Sequence, residues 1–121
     1  MTDSELIVFF TVDPKKELER AFMGLTIAAA ALASEVKVKL FFALDGIYAA
    51  KKGYLEGLEE EGFASLQDLM DIFIEEGGEV FVCHPFMAKR NISEEDLIEG
   101  AVLSAAPTLI YEASSANMVT I

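Results

Sequence analysis

Short apolar runs alternate with longer helical patterns along this chain, an arrangement typical of α/β proteins. Five runs predict strands, at residues 6–12, 36–44, 80–82, 101–103 and 118–121. The first run is continuous and rich in β-branched and aromatic residues, as expected of a central strand. In the second, Lys37 and Lys39 alternate with apolar residues, which indicates an exposed edge at its start. We therefore predict one domain, residues 1–121, folded as a three-layer α/β sandwich with a mostly parallel sheet of about five strands and helices on both faces.

The longest helical pattern is apolar on both sides. Asp13 and Pro14 supply an N-cap and a first-turn proline for a helix that runs to about residue 34. One face carries Leu18, Phe22, Leu25, Ala29 and Leu32, and the other carries Met23, Ile27 and Ala30. A helix that is apolar all round is covered on both sides, so we expect a neighbouring subunit to cover the second side.

Weaker helix signals occupy the second half of the chain. Ser65 and Ser93 begin capping boxes, the first for a helix to residue 76 and the second for one or two turns. Pro85 and Pro107 fit the first turns of a short helix and of a helix to about residue 114. Before these, a short helix is expected at residues 47–52, followed by a glycine-marked connection to residue 63.

The composition fits one hydrophobic core with little exposed surface. The chain has 121 residues, 53% of them hydrophobic, and a mean hydropathy of +0.37, so either unusually little of its surface is in contact with water or another subunit covers some of it. A single cysteine forms no internal disulfide, so a reducing, intracellular location is favoured. Residues 1–5 are acidic, unlike a signal peptide, and the longest uncharged apolar stretch, residues 21–33, is shorter than the roughly 18 residues of a membrane span. We expect a cytoplasmic protein without membrane insertion.

The net charge of −12 argues against nucleic acid as a partner, because phosphate backbones bind clustered Lys and Arg. Residues 61–121 contain eleven acidic residues but only two basic ones, Lys89 and Arg90. These two follow the cysteine by six and seven residues. They form either a small positive spot near the thiol or simply the basic end of a short helix, where they complement its dipole.

Cys83 lies where the third strand gives way to a predicted helix. Pro85 suits the first turn of that helix and favours an extended conformation at His84. Cys83 is therefore expected at the carboxyl edge of the sheet, where ligands bind in open α/β sheets. If the N–H groups and the dipole of the helix start, and to a lesser extent Lys89 and Arg90, stabilise the thiolate, the thiol pKa should lie below the free-cysteine value of about 8.5.

Few other chemistries fit these residues. His84, the only histidine, is adjacent to Cys83 on an extended strand end and points to the opposite face, which argues against a cysteine–histidine hydrolase. No metal-ligand spacing, P-loop or Gly-x-Gly-x-x-Gly pattern is present. We expect neither a metal nor another cofactor.

A buried strand ends in Cys83 and a short basic helix follows it, and then come Asn91-Ile92-Ser93-Glu94-Glu95-Asp96-Leu97-Ile98-Glu99-Gly100-Ala101 and a terminal Asn117-Met118-Val119-Thr120-Ile121. This order of elements resembles the DsrE/DsrF/TusD family of sulfur-handling proteins. Phe41-Phe42-Ala43-Leu44-Asp45-Gly46-Ile47 is similar to the family's strand and Asp-Gly turn before a variable loop. The resemblance covers nearly the whole chain.

The resemblance implies that Cys83 accepts persulfide sulfur from one partner protein and passes it to another, within a homo-oligomer that is a trimer or a hexamer. It also implies that the loop at residues 48–63 lies close to the thiol edge, so its aromatic residues Tyr48, Tyr54 and Phe63 either form a lid or pack beneath the loop. The residues expected to bind substrate or activate the thiol are His84, Lys89, Arg90, Asp45 and Tyr48.

Two other functions stay open. One is a binding or scaffold oligomer in which Cys83 is a small buried hydrophobe, the commonest role of a free cysteine. The other is a thiol oxidoreductase acting on peroxide. Val80 in place of the usual threonine and the lack of a resolving cysteine argue against this second function.

Overall fold

Five parallel strands form one sheet at the centre of the structure. The computed structural model describes residues 4–121, so residues 1–3 of the acidic start lie outside the described part. The strands are β1 (Glu5–Phe10), β2 (Lys37–Phe42), β3 (Glu79–Cys83), β4 (Val102–Ser104) and β5 (Asn117–Thr120). The α-helices are α1 (Leu18–Ala33), α2 (Leu66–Glu75) and α3 (Ala106–Ala113).

The strand order is β4-β3-β2-β1-β5, with every neighbouring pair parallel. Phe10 pairs with Phe42 and Phe42 with Val82, so the carboxyl ends of the three inner strands lie side by side. The predicted α/β fold with a parallel sheet and helices on both faces is confirmed.

Helices α1 and α2 cover one face of the sheet. Alternate strand residues such as Val8, Leu40 and Val82 point into this layer and are fully buried. The helices meet them with Ala21, Leu25, Ala28, Leu66, Met70 and Phe73. This face holds most of the core, because two long helices shield it from water.

The outer side of α1 is partly covered within the chain. The rings of Phe22 and Phe63 lie 4.7 Å apart between centroids, so the connection after residue 50 folds back over the helix. Met23 is 50% exposed. On the second apolar side, Ile27 packs partly against the core, whereas Met23 and Ala30 are exposed, so cover of that side by a neighbouring subunit stays a prediction.

Helix α3 covers the opposite face, and it does so thinly. The buried cluster there consists of Ile7, Phe41, Ala43 and Cys83, and Leu109 and Ala113 of α3 pack against it. Every residue of α3 is at least partly exposed. Ile110 and Tyr111 are 69% and 76% exposed. This face of the sheet thus has a single short helix as its cover.

The expected exposed edge at the start of β2 was wrong, because β2 is the middle strand of the sheet. Its lysines have different surroundings: Lys37 is exposed at the strand start, whereas the Lys39 side chain is only 13% exposed. Lys39 donates hydrogen bonds to Glu5, at 3.2 Å, and to Glu112 of α3. Burial lowers the pKa of Lys39, but hydrogen bonds to the two carboxylates outweigh it and raise that pKa overall.

Helix α1 begins four residues later than predicted. Asp13 does not cap the helix; its Oδ1 accepts the backbone N–H of Lys15 at 2.9 Å and closes a separate turn. The helix cap is Glu17, which makes no side-chain capping bond. The Asp13-Pro14 pair therefore lies in a turn before the helix and not at the start of the helix itself.

The connections also differ from expectation in helix type. The segment after β2 is a 3₁₀ helix, Leu44–Ala50, in place of a short helix at 47–52. The predicted helix after Cys83 is two separate 3₁₀ turns, His84–Phe86 and Ala88–Arg90. Both predicted serine caps are present: Ser65 accepts from the Asp68 backbone, and Ser93 and Asp96 form a reciprocal capping box.

Lys39 should hold α3 against the sheet. We expect Lys39→Met to lower the free energy of unfolding by about 1–2 kcal/mol, because Glu5 and Glu112 would be left partly buried without their cation. Lys37→Met on the same strand is the matched control and should stay within about 0.5 kcal/mol of wild type. Urea unfolding followed by circular dichroism measures both, and equal effects of the two variants would contradict the assigned role of Lys39.

Candidate functional site

Cys83 is the last residue of β3, at the carboxyl edge of the sheet. Its Cα pairs with that of Ser104 on β4, and its backbone is extended, with φ −74° and ψ 102°. The residue is 6% exposed and belongs to the cluster beneath α3. The structure therefore confirms the expected edge position but gives the thiol little contact with solvent.

The turn after Cys83 does not provide the helix dipole that the sequence predicted. His84–Phe86 is a three-residue 3₁₀ turn, too short for the aligned peptide dipoles of an α-helix. Burial raises the pKa of the Cys83 thiol. The expectation of a lowered pKa was wrong for the free chain, because desolvation of the thiolate is not offset by a charged or dipolar partner.

His84 and Cys83 have opposite environments. Cys83 is buried and His84 is exposed, as expected for consecutive residues at an extended strand end. Lys89 is also exposed, on the second 3₁₀ turn. These two residues line the outer surface of the segment that follows the thiol.

Arg90 makes the most connections in this segment. Its Nε and Nη2 lie 2.9 and 2.8 Å from Oδ1 of Asp45. Its Nη1 donates to the carbonyl oxygen of Phe86 at 3.1 Å, and its guanidinium carbon lies 5.7 Å from the centre of the Phe86 ring. The predicted pair of site residues, Asp45 and Arg90, is thus brought together although 45 residues separate them in sequence.

Asp45 is held in place by the close packing of its turn. A Cβ on the next residue, Gly46, would lie 2.0 Å from the carbonyl oxygen of Phe10. Only glycine allows the turn to lie directly on the end of β1. The carboxylate is therefore fixed to the carboxyl edge of the sheet and not to a mobile loop.

Tyr48 and Tyr54 take part in contacts that hold the connection after β2 in place, and they do not form a free lid. Their rings stack with centroids 5.2 Å apart. The Tyr54 hydroxyl donates to Asp13 Oδ1 at 2.8 Å, and Lys15 Nζ lies 4.2 Å above the Tyr54 ring. Burial and this hydrogen bond raise the pKa of Tyr54. The connection is tied down at the end of β1, which accounts for a buried aspartate beside Pro14.

Sequence reasoning missed Phe86 and Asp13. Phe86 packs against both buried clusters, one on each face of the sheet, and so lies at their junction. The Phe86–Arg90 spacing of four residues was a usable signal, since an aromatic side chain and an arginine at that spacing in a turn can stack. Asp13 gave no such signal, because its partner Tyr54 is 41 residues away.

Among residues 4–121, no group of three or more His, Cys, Asp or Glu residues is arranged to hold a metal ion. Over the same residues, none of the helices is long and apolar enough to cross a membrane.

Comparison with known proteins adds to this geometry. Residues 5–120 match the sequence model of the DsrE/DsrF-like family. Protein MK0008 of Methanopyrus kandleri is 36% identical over 92 residues, which cover 76% of this chain and 73% of that protein. Protein MJ0989 of Methanocaldococcus jannaschii is 36% identical over 106 residues, covering 84% of this chain and 87% of that protein.

Two solved structures share the fold. The YchN protein from E. coli superposes with a TM-score of 0.76 at 23% identity, covering 99% of this chain and all of that one. MTH1491 from Methanobacterium thermoautotrophicum superposes with a TM-score of 0.70 at 11% identity, covering 98% of this chain and all of that one.

The raised thiol pKa predicts slow alkylation at neutral pH. The thiolate is the reactive form, so the iodoacetamide rate of the wild type should rise with pH through a midpoint above about 8.5. Cys83 is the only cysteine, so Cys83→Ser gives the background rate. A midpoint at or below the free-cysteine value would mean that the thiol is activated in the free chain.

Proposed function

The chain belongs to the DsrE/DsrF-like family, and on this premise we propose that it carries sulfane sulfur as a persulfide on Cys83. The observation that carries the proposal is the position of this single cysteine at the carboxyl end of an inner parallel strand. In open α/β sheets this edge is where ligands bind, since strand ends and loops converge there. A free thiol also suits the reducing cytoplasm, where we place the protein.

The proposed transfer requires no cofactor. The Cys83 thiolate attacks the outer sulfur of a donor persulfide, the S–S bond of the donor breaks, and the donor leaves as a thiolate. The new S–S bond forms on Cys83, and the transferred sulfur keeps its oxidation state and its proton. The same step in reverse loads an acceptor thiol, so the cycle needs only a donor protein and an acceptor protein.

Several neighbours support the docking of a donor. His84 and Lys89 are exposed on the two turns after the thiol, in a half of the chain where Lys89 and Arg90 are the only Lys or Arg residues beside eleven acidic ones. We assign them to contact with an anionic donor, where they would act mainly through the association rate. Asp45 and Tyr48, on the connection after β2, and Arg90, on the second turn after the thiol, shape the same edge.

The burial of Cys83 favours a second candidate function. A thiol that is 6% exposed, with a pKa raised by its surroundings, is also what a structural cysteine looks like. In that case the protein is a scaffold or binding oligomer. The two candidates differ in one property: only a sulfur carrier gains sulfur on the thiol.

Incubation with polysulfide therefore tests the proposal. The wild-type chain should gain mass in steps of one sulfur atom, and a reductant should remove the gain, because the sulfur is held by an S–S bond. Cys83→Ser should gain none. Intact-protein mass spectrometry measures both variants, and equal labelling of the two, or none in wild type, would leave the scaffold function.

We further propose that the chain forms a homo-oligomer, a trimer or a hexamer, through the α3 side. Residues 101–121 contain one charged residue, Glu112, and it is paired with Lys39. Two copies with a charge of −12 repel each other over most of their surfaces, and least where charge is lacking. The large exposed side chains Ile110, Tyr111, Val102 and Met118 belong to this same segment.

Light scattering tests this assembly. The wild type should have three or six times the single-chain mass of 13.2 kDa. Ile110→Asp should lower the mass, because a charge in an apolar contact is costly. Met23→Asp on α1 is the matched control and should leave the mass unchanged. A wild-type monomer in dilute solution would end the proposal, and loss of mass only in the control would move the contact to α1.

A further inference from the structure

We infer that Arg90 and Asp45 are positioning residues that fasten Phe86, and that the fastened turn keeps Cys83 covered. The inference rests on the proposed function for its biological meaning. Its physical content, control of access to the thiol, is independent of what the thiol carries.

The first step is the attachment of Phe86 to Arg90. Arg90 reaches both the backbone and the ring of Phe86: Nη1 donates to the carbonyl oxygen at 3.1 Å, and the guanidinium lies 5.7 Å from the ring centre. Arg90 in turn is fixed by two contacts to Oδ1 of Asp45, and its side chain is only 13% exposed. We call this set, Asp45, Arg90 and Phe86, the edge clamp.

The second step is the relation of Phe86 to the thiol. Phe86 follows Cys83 by three residues and ends the 3₁₀ turn that begins at His84. Its side chain packs against the buried cluster that contains Cys83 and against the larger core on the other face. From this junction, three residues after Cys83, the ring is the group that we assign to limiting access to the thiol.

The third step is the choice of arginine. A planar guanidinium can hold a carboxylate, donate to a carbonyl and lie against a ring at once, whereas a lysine ammonium cannot satisfy all three. Arg90 also has its charge partly neutralised by Asp45 at 2.8 Å. The three simultaneous contacts and the partly neutralised charge both favour a positioning role for Arg90 over electrostatic activation of the Cys83 thiolate.

The two roles predict opposite signs in alkylation by neutral iodoacetamide. If Arg90 activated the thiolate by charge, Arg90→Ala would slow alkylation at neutral pH, and Arg90→Lys would behave like wild type. If Arg90 belongs to the edge clamp, both variants open the turn more often and react faster. We expect roughly a threefold to tenfold faster rate, since tenfold corresponds to about 1.4 kcal/mol in an opening equilibrium.

The pH profile separates access from ionisation. In the clamp variants the rate should rise at every pH, including the high-pH plateau where the thiol is fully ionised. Asp45→Ala should show the same plateau increase, although it leaves Arg90 charged. Arg20→Ala, which breaks the exposed Arg20–Glu17 pair on α1, is the matched control and should leave the profile unchanged.

A double-mutant cycle tests whether Arg90 acts through Phe86. Phe86→Leu keeps an apolar side chain at the junction and should also raise the rate, and adding Arg90→Ala to it should raise the rate little further. Circular dichroism spectra and thermal midpoints establish that each variant is folded before its rate is used.

Three results would overturn the inference: a slower Arg90→Ala with a wild-type-like Arg90→Lys, unchanged rates in both arginine variants, or fully additive effects of Arg90 and Phe86. None of these depends on sulfur loading. If polysulfide adds no sulfur to Cys83, the proposed function is wrong, but the role of the edge clamp is unaffected. If the alkylation rates contradict the edge clamp, the proposed function is unaffected.

Discussion

Burial of both faces of the inner strands is the constraint on which the rest of the structure depends. Alternate residues of β1, β2 and β3 point to opposite sides, and thirteen of the seventeen residues in these strands are apolar. Fully burying one such side chain stabilises the folded state by about 1.5–3 kcal/mol, so both faces of the sheet must be shielded from solvent. The cover is unequal, because two long helices protect one face and the eight-residue helix α3 protects the other. The thinly covered face contains the thiol and four of the nine large apolar residues that are exposed within residues 4–121, namely Val102, Ile110, Tyr111 and Met118.

Three pairs that involve buried or partly buried charges sit at the two ends of this sheet. Asp13 accepts from Tyr54, Arg90 binds Asp45, and Lys39 binds Glu112 across to α3. Charges removed from water are costly unless they are paired, so each pair ties its two segments together. The first two fix the connections at the carboxyl edge, and the third fixes the short helix near the opposite edge.

For the proposed carrier function, this arrangement would keep the one cysteine both protected and usable. A persulfide is easily lost to other thiols, so a carrier benefits from a site that excludes them. The cost is a thiol with a raised pKa and little reactivity in the closed state. Opening of a short turn requires far less free energy than global unfolding, and a docked partner that stabilises the open form would supply access and solvation together. In this proposed mechanism the thiol would be activated when a partner docks, and not in the free chain.

The sequence by itself determined the alternation of strands and helices, the parallel sheet, and the position of Cys83 at a strand end. These features follow from the local hydrophobic periodicity and from the glycine and proline residues that end strands and helices, and both can be read directly from the sequence. The family resemblance pointed to Asp45 and Arg90 without indicating that they touch. Only the tertiary structure decided that β2 is an inner strand, that Lys39 has two carboxylate partners, and that Tyr54 binds Asp13. It also decided that the thiol is desolvated, because burial depends on which helix crosses which face. Which helix covers which face depends on contacts between segments far apart in the chain, and local sequence patterns do not contain this information.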